Sequence, residues 1–136
     1  MTTSLPGKHI PIQVDTDVIT ARQEGRQMAQ RLGFKAVDQA RITTAISELA
    51  RNIVVYAGGR GNVLLREIQD GTRKGIEVQF DDQGPGIEDI DRAMGQGYSS
   101  GKGLGAGLPG TKRLMDEFEL RSAPGEGVHI TIRKWL

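Results

Sequence analysis

Three groups of residues in this chain have the types and spacing that chemistry needs. In "SELARN", Glu48 and Asn52 stand four residues apart, so on a helix their side chains lie one above the other on one face. The carboxylate can accept a proton while the carboxamide oxygen offers a hard ligand to Mg²⁺. A solvated polar face would carry the same pair, yet Asn costs a helix interior about 0.5–0.7 kcal/mol relative to Ala, and Asn52 has apolar residues close by, Leu49 and Ile53. In "DDQGPGIEDI", Asp82 closes a strand. Gly84 and Gly86 let the backbone turn tightly against a ligand, and Pro85 stiffens the turn. A buried carboxylate there can accept a hydrogen bond from an exocyclic amine such as the N6 group of adenine, although an ordinary strand-ending turn uses the same residue types. The third group is "GQGYSSGKGLGAGLPG", residues 95–110, with glycine at seven of sixteen positions.

That glycine stretch fits neither common phosphate loop. A Walker A loop ending at Gly101-Lys102 would need glycine where Gln96 stands and a hydroxyl where Gly103 stands. Gly105, Gly107 and Gly110 do match G-x-G-x-x-G, but no strand precedes them and too little chain follows for a βαβ unit. What remains is a run of glycines entering a helix, where free backbone N–H groups favour an anion. Seven glycines in a regular element would cost roughly 4–7 kcal/mol relative to alanine, so neither strand nor helix is expected before Gly107.

The elements that must position these groups follow from periodicity. "KHIPIQV" alternates around Ile10, Ile12 and Val14 and reads as an edge strand, because Pro11 cannot donate to a ladder. "DTDVITARQEGRQMAQRLG" reads as a helix with an N-cap among Asp15 to Asp17 and a stop at Gly33. A second helix is expected from about Ala36 to Ala57, with an apolar stripe of Val37, Ala40, Ala45, Leu49, Ile53 and Val54, ended by Gly58 and Gly59. "NVLLREIQ" and "GIEVQFDD" form a hairpin across "DGTRKG". "GTKRLMDEF" is a short helix, and "ELRSA" and "VHITIRKW" pair across "PGEG". Helices early and antiparallel strands late give an α/β protein, a two-layer sandwich with a mixed, mostly antiparallel sheet.

Composition narrows the class of partner. The chain has 136 residues, a formal net charge of +1 and no cysteine. That length fits one domain, 1–136. Lysines and arginines are spread among nearly as many acidic residues, which argues against nucleic acid and for a protein or small-molecule partner. The absence of cysteine suits a reducing interior, and no apolar run approaches a membrane span, so a cytoplasmic protein without membrane contact is expected. His9 and His129 read as bland surface or core residues, not phosphoacceptors. Tyr98 and Trp135 are candidate partner anchors.

The order of the three groups resembles one family. Glu-x-x-x-Asn on a long helix, Asp-x-Gly-x-Gly after a strand, and a glycine-rich segment ending in Gly-x-Gly at a helix start are similar to the N, G1 and G2 boxes of the GHKL ATPases, which share the Bergerat ATP-binding fold. Within that superfamily, "QARITTAISELARNI", "DQGPGI" and "GLGAGLPGTKRLMDEF" resemble the anti-sigma-factor-type serine kinases, in their stressosome branch.

The resemblance implies ATP and Mg²⁺ as cofactors, an ATP lid over about 88–107, and a role for each matching residue. Asn52 would hold Mg²⁺, Asp82 would read the adenine amine, and Glu48 would be the general base. Gly84, Gly86 and Ile87 would form the turn against the base. Gly103, Leu104, Gly105, Ala106, Gly107 and Leu108 would present backbone to the phosphates. Lys102 would either approach the γ-phosphate or remain a solvated lid charge. Relatives often carry threonine where this chain has Val128, which leaves open whether Thr131 takes over that contact. By the same resemblance the chain phosphorylates STAS-domain proteins of the stressosome and, when released, activates a PP2C-type phosphatase. The alternative is an anti-sigma factor that sequesters a sigma factor. A fragment of a mechanical GHKL ATPase is disfavoured, because those enzymes need a following transducer domain.

Overall fold

The computed structural model describes residues 2–89, 94 and 107–136. Two helices lead the fold: α1 (Asp15–Leu32) and α2 (Ala36–Tyr56). They form an antiparallel hairpin across a short link in which Gly33 takes a left-handed φ of 96° and donates to Ala29 and Gln30 carbonyls. The start of α1 differs from expectation. Its N-cap is Val14, and Asp17 one turn later reaches back so that its Oδ2 accepts from the N–H groups of Gln13 and Val14, at 2.9 and 3.1 Å. Glycines end α2 as expected, the Gly59 N–H reaching the Ile53 carbonyl at 3.0 Å.

Six strands form one sheet: β1 (Thr2–Ser4), β2 (Lys8–Ile12), β3 (Gly61–Asp70), β4 (Arg73–Asp82), β5 (Glu117–Ser122) and β6 (Val128–Trp135). The order is β1-β3-β4-β6-β5, with β2 on the same side of β3 as β1, further along the strand. Every pairing among the described residues is antiparallel, so the mixed component expected of the sheet does not occur there. The β3–β4 and β5–β6 pairs close through turns, whereas β2 and β3 are joined through the α1–α2 hairpin, and no helix has to carry the chain between parallel strands. Strand β1 was not anticipated. Its three residues are exposed and polar, without the alternation that marks a half-buried strand.

Both long helices cover one face of the sheet. The core lies between them, built from Ile42, Ala45, Ile46, Leu49, Ala50 and Ile53 of α2 and Val63, Leu65, Ile76, Val78, Phe80, Ile130 and Ile132 of the strands. The expected α2 stripe is displaced at its start. Val37 is 55% exposed and Ala40 is also exposed, because the helix turns its Ile42 and Ile46 ridge onto the sheet instead. The opposite face is polar. Glu77, 2% exposed, accepts from Arg66 Nε at 2.6 Å and Arg133 Nε at 2.7 Å, and Arg133 continues to Glu117. Two guanidinium groups thus compensate one buried carboxylate across three strands. At the edge, the Trp135 ring stacks under Arg73 at 4.1 Å and its indole N–H donates to Glu117. Trp135 is therefore engaged within the sheet, while Tyr98 lies outside the described residues.

A short helix, α3 (Leu108–Leu114), runs between the chain's last two regions. It starts two residues before the expected Gly110 and stops at Leu114, so Glu117 and Phe118 belong to β5. Met115 leaves the helix in extended geometry, and Lys134 Nζ, reaching from β6, donates to the Leu114 carbonyl at 3.1 Å. A tertiary cap of this kind has no local signal. Leu108 and Thr111 are the buried residues of α3, and Thr111 Oγ1 donates to the Gly107 carbonyl at 2.8 Å.

Candidate active site

Asn52, Asp82, Ile87 and Leu108, which come from four separate segments, line one pocket. Its walls are Leu49 and Ile53 of α2, Phe80 of β4, and Val128 and Ile130 of β6. The pocket is a narrow, largely apolar slot. Two polar side chains enter it: the Asn52 carboxamide and the Asp82 carboxylate. A flat aromatic base with one amine to satisfy is matched by apolar walls with a few placed polar groups.

Asp82 is 5% exposed and is held by the backbone. Its Oδ1 accepts from the Gly84 N–H at 2.9 Å and the Val128 N–H at 3.1 Å. Oδ2 has no donor among the described residues, which keeps an acceptor for a donor entering the pocket. The turn after Asp82 is tied to the last hairpin. Ser122 Oγ accepts from the Ile87 N–H at 2.8 Å and donates to the Gly127 carbonyl at 2.6 Å, and the Gly125 N–H reaches the Pro85 carbonyl at 2.7 Å. Gly86 is at φ 80°, and a Cβ there would stand 2.1 Å from the Ala123 carbonyl oxygen. Gly127 is at φ 72°, where a Cβ would stand 2.0 Å from the Asp82 carbonyl oxygen. Two backbones meet at these points, and only glycine permits both the approach and the left-handed turn.

Glu48 and Asn52 share a face of α2 but serve different cavities. Asn52 lines the apolar slot, whereas the half-buried Glu48 lines an open polar groove with Arg22, Thr43, Thr44, Ser47 and Arg51. They converge at the start of α3: Glu48 Oε2 lies 3.0 Å from where a Cβ of Gly107 would be. Neither side chain has a hydrogen-bond partner among the described residues. A carboxylate without a partner among the described residues, lining an open groove, can take a proton from a group approaching through it.

Sequence reasoning missed Ser122 and Gly127, along with the pocket walls. The parity of "VHITIRKW" could have found Val128 and Ile130, since alternate residues of β6 are buried. The same parity bears on Thr131. It pairs beside Gln79 and Glu119 on the polar face, away from the slot, whereas Val128 lines the slot. Nothing local marks Ser122, whose partners lie 35 and 5 residues away. His129 Nδ1 lies 2.7 Å from Asp81 Oδ1 on the polar face, in keeping with a surface role. Lys102, Gly103, Leu104, Gly105 and Ala106, and most of the expected lid over 88–107, lie outside the described residues.

This combination of a one-sided α/β sandwich, an Asp-anchored apolar slot and a Glu/Asn helix face defines a nucleotide-binding ATPase-type domain. Residues 11–134 match the histidine kinase-like ATPase domain, and the chain belongs to that family, in the branch of its serine/threonine-protein kinases. It is 55% identical over 127 residues to the serine/threonine-protein kinase RsbT of Bacillus subtilis (strain 168), covering 93% of this chain and 95% of that one. It is 32% identical over 102 residues to the anti-sigma F factor of Thermoanaerobacter sp. (strain X514), covering 71% and 70%. Among solved structures, the RsbU and RsbW domains of Rv1364c from Mycobacterium tuberculosis match with a TM-score of 0.66 at 19% identity, over 96% of this chain and 32% of that one. This chain thus spans about a third of that longer one. The nucleotide-free catalytic domain of the histidine kinase ThkA matches with a TM-score of 0.53 at 12% identity, over 96% and 95%. At such identities these two structures speak to the fold alone.

Proposed function

We propose that this chain is a single ATP-binding domain that phosphorylates a serine or threonine of a STAS-domain protein in a stressosome-type complex. When released, it binds and activates a PP2C-type phosphatase upstream of a sigma factor, in the cytoplasm. No helix among the described residues is long and apolar enough to cross a membrane. The observation that carries the kinase reading is the placement of Glu48, without a partner among the described residues, 3.0 Å from where a Cβ of Gly107 would be, at the start of the helix whose Leu108 lines the slot.

In this reading Asp82 Oδ2 accepts from the adenine amine, and Ile87, Leu108 and Phe80 sandwich the base. Glu48 takes the proton of the substrate hydroxyl as its oxygen bonds to the γ-phosphorus. The bond from that phosphorus to the β–γ bridging oxygen breaks, and ADP leaves with the electron pair. Gly103, Leu104, Gly105, Ala106 and Gly107 present backbone to the phosphates, with Lys102 beside them. Among the described residues no group of three or more His, Cys, Asp or Glu side chains could hold a metal. Asn52, whose carboxamide oxygen has no donor among the described residues, fits Mg²⁺, because that ion commonly takes one or two protein ligands and fills its shell with phosphate and water. When bound, Mg²⁺ neutralises charge on the phosphates.

Incubation of the purified protein with γ-labelled ATP, Mg²⁺ and a STAS-domain protein tests this reading directly. Label on serine or threonine supports it, and binding of the STAS-domain protein without label refutes it. The 32% identity to an anti-sigma F factor over 71% of the chain favours a second reading, sequestration of a sigma factor. Parallel pull-downs with the sigma factor and the STAS-domain protein separate the two.

A further inference from the structure

Three charged side chains are buried among the described residues, and two have a clear place. Asp82 belongs to the slot and Glu77 is matched by two guanidinium groups on the far face, which leaves Lys134. Alternate residues of β6 face the helices: Val128, Ile130, Ile132 and then Lys134, 7% exposed. An apolar side chain would pack there without electrostatic cost, whereas a buried ammonium has to be compensated. The compensation comes from three segments at once. Nζ donates to the Leu114 carbonyl at the end of α3 at 3.1 Å, and it lies 3.6 Å from Asp116 Oδ1 and 4.0 Å from Asp38 Oδ1 in the first turn of α2. Asp116 is seated on both neighbours of Lys134, its N–H donating to the Arg133 carbonyl and its Oδ2 accepting from the Trp135 N–H. The ammonium is thereby fixed to the sheet.

Helix α3 needs a fixed point of this kind. It has seven residues, a length at which an isolated helix does not hold together. Its buried residues, Leu108 and Thr111, lie toward its start, and at its end the Met115 N–H reaches the Lys112 carbonyl only at 3.4 Å. Among the described residues Lys134 is the one side chain that reaches its last carbonyls, where a positive charge also suits the helix dipole. A short helix moves as a rod, so the grip at Leu114 sets where the other end lies. That end carries Gly107, beside Glu48, and Leu108, which lines the slot. Resting on the kinase reading, we propose that Lys134 is a positioning residue for phosphate transfer: by holding the end of α3 to the sheet it sets the backbone that faces the phosphates and the spacing of that backbone from Glu48. It lines neither the slot nor the groove and acts through α3. The adenine end has ties of its own, through Asp82, Ser122 and the Gly125–Pro85 contact, so loss of Lys134 separates the two ends of one site.

Lys134→Met removes the charge and the cap while filling similar space. The test measures Kd for ATP and for AMP by displacement of a fluorescent ATP analogue, kcat in the γ-labelled ATP assay with a STAS-domain protein, and hydrogen exchange across residues 108–114. ATP Kd is expected to rise about tenfold and kcat to fall about 10- to 10²-fold, the scale of an ångström-sized misplacement, while AMP Kd stays within about twofold. Exchange across α3 should quicken. Lys134→Arg keeps a charged donor and should recover most of the ATP affinity. Should Lys134→Met fold poorly, Asp116→Ala at a half-exposed position loosens the same grip and should give the same ATP-against-AMP split at smaller size. Equal losses of ATP and AMP affinity would show a purely structural role and overturn the proposal, and so would wild-type values for both. If the wild type transfers no phosphate to the STAS-domain protein, the kinase reading fails on its own, and the ATP-against-AMP split still decides Lys134.

Discussion

The two ends of the site are built on opposite principles. At the Asp82 end almost every polar group is spent inside the protein: Asp82 Oδ1 on two backbone N–H groups, and Ser122 on the Ile87 N–H and the Gly127 carbonyl. At the Glu48 end the polar groups are left over, since neither Glu48 nor Asn52 has a partner among the described residues. The first arrangement fixes a shape before any ligand arrives, and this is how a site acquires specificity at low cost on binding. The second keeps carboxylate and carboxamide available for groups whose charge changes during the reaction. Substitutions at the Asp82 end should therefore damage fold and binding together, whereas those at the Glu48 end should damage chemistry or binding and leave the fold intact.

The largest expected effect lies at the unpartnered end. Glu48→Gln should lower the rate of phosphate transfer by about 10²–10⁴-fold, the usual worth of a general base, with ATP binding and thermal stability unchanged. Transfer at the wild-type rate to the STAS-domain protein would remove Glu48 from that role. Asp82→Ala should lower stability by about 2–5 kcal/mol, because the N–H groups of Gly84 and Val128 lose a buried acceptor, and abolish nucleotide binding as well. Asp82→Asn sharpens the contrast. Its amide oxygen can still receive both N–H groups while its NH₂ meets the adenine amine as donor against donor, so denaturation should be milder than for alanine while nucleotide affinity is lost. Ser122→Ala should cost about 1–3 kcal/mol in urea unfolding, since it orphans the Ile87 N–H and the Gly127 carbonyl. Asn52→Ala, in comparison, should leave the unfolding midpoint in place and weaken ATP about tenfold in the presence of Mg²⁺, for the loss of one ligand.

The smallest effect is on the far face of the sheet. The indole N–H of Trp135 donates to Glu117, and with the Arg133 guanidinium it holds that carboxyl below the ordinary carboxylate value against the opposing effect of burial. A carboxyl with a lowered pKa in the folded state adds stability above its unfolded pKa and loses it as pH falls through the folded value. Trp135→Phe should therefore flatten the acid limb of the stability curve slightly, as followed by thermal melts between about pH 5 and 3. The Glu117 side chain is 41% exposed, so solvent screening keeps the effect small.

Much of this was legible in the chain's own patterns. The two helices, the β3–β4 hairpin and the span of β6 were evident because their signals are local: 3.6-residue or 2-residue periodicity, glycine stops and a turn-rich loop. The pairing of Glu48 with Asn52 on one face, and the placement of Asp82 at a strand end, follow from the same periods. Illegible features depended on distant segments meeting. Val14 caps α1 through a carboxylate one turn inside the helix, β1 pairs with the distant β3, and α3 ends where Lys134 reaches it. Val37 and Ala40 fit the apolar period yet lie outside the core, since periodicity gives the spacing of a stripe and the packing partner decides how far it runs.

The sequence by itself determined which residues carry chemistry and in what order they come, since residue type and helical or strand spacing are properties of neighbours in the chain. Only the tertiary structure decided that Asn52 and Glu48, one turn apart, open onto different cavities. It alone placed Val128 rather than Thr131 in the slot, and made Ser122 the tie between the glycine turn and the last hairpin. Each of these is a contact across 35 or more residues or a choice between faces of the sheet, and only the closing of the sheet against its helices sets such choices.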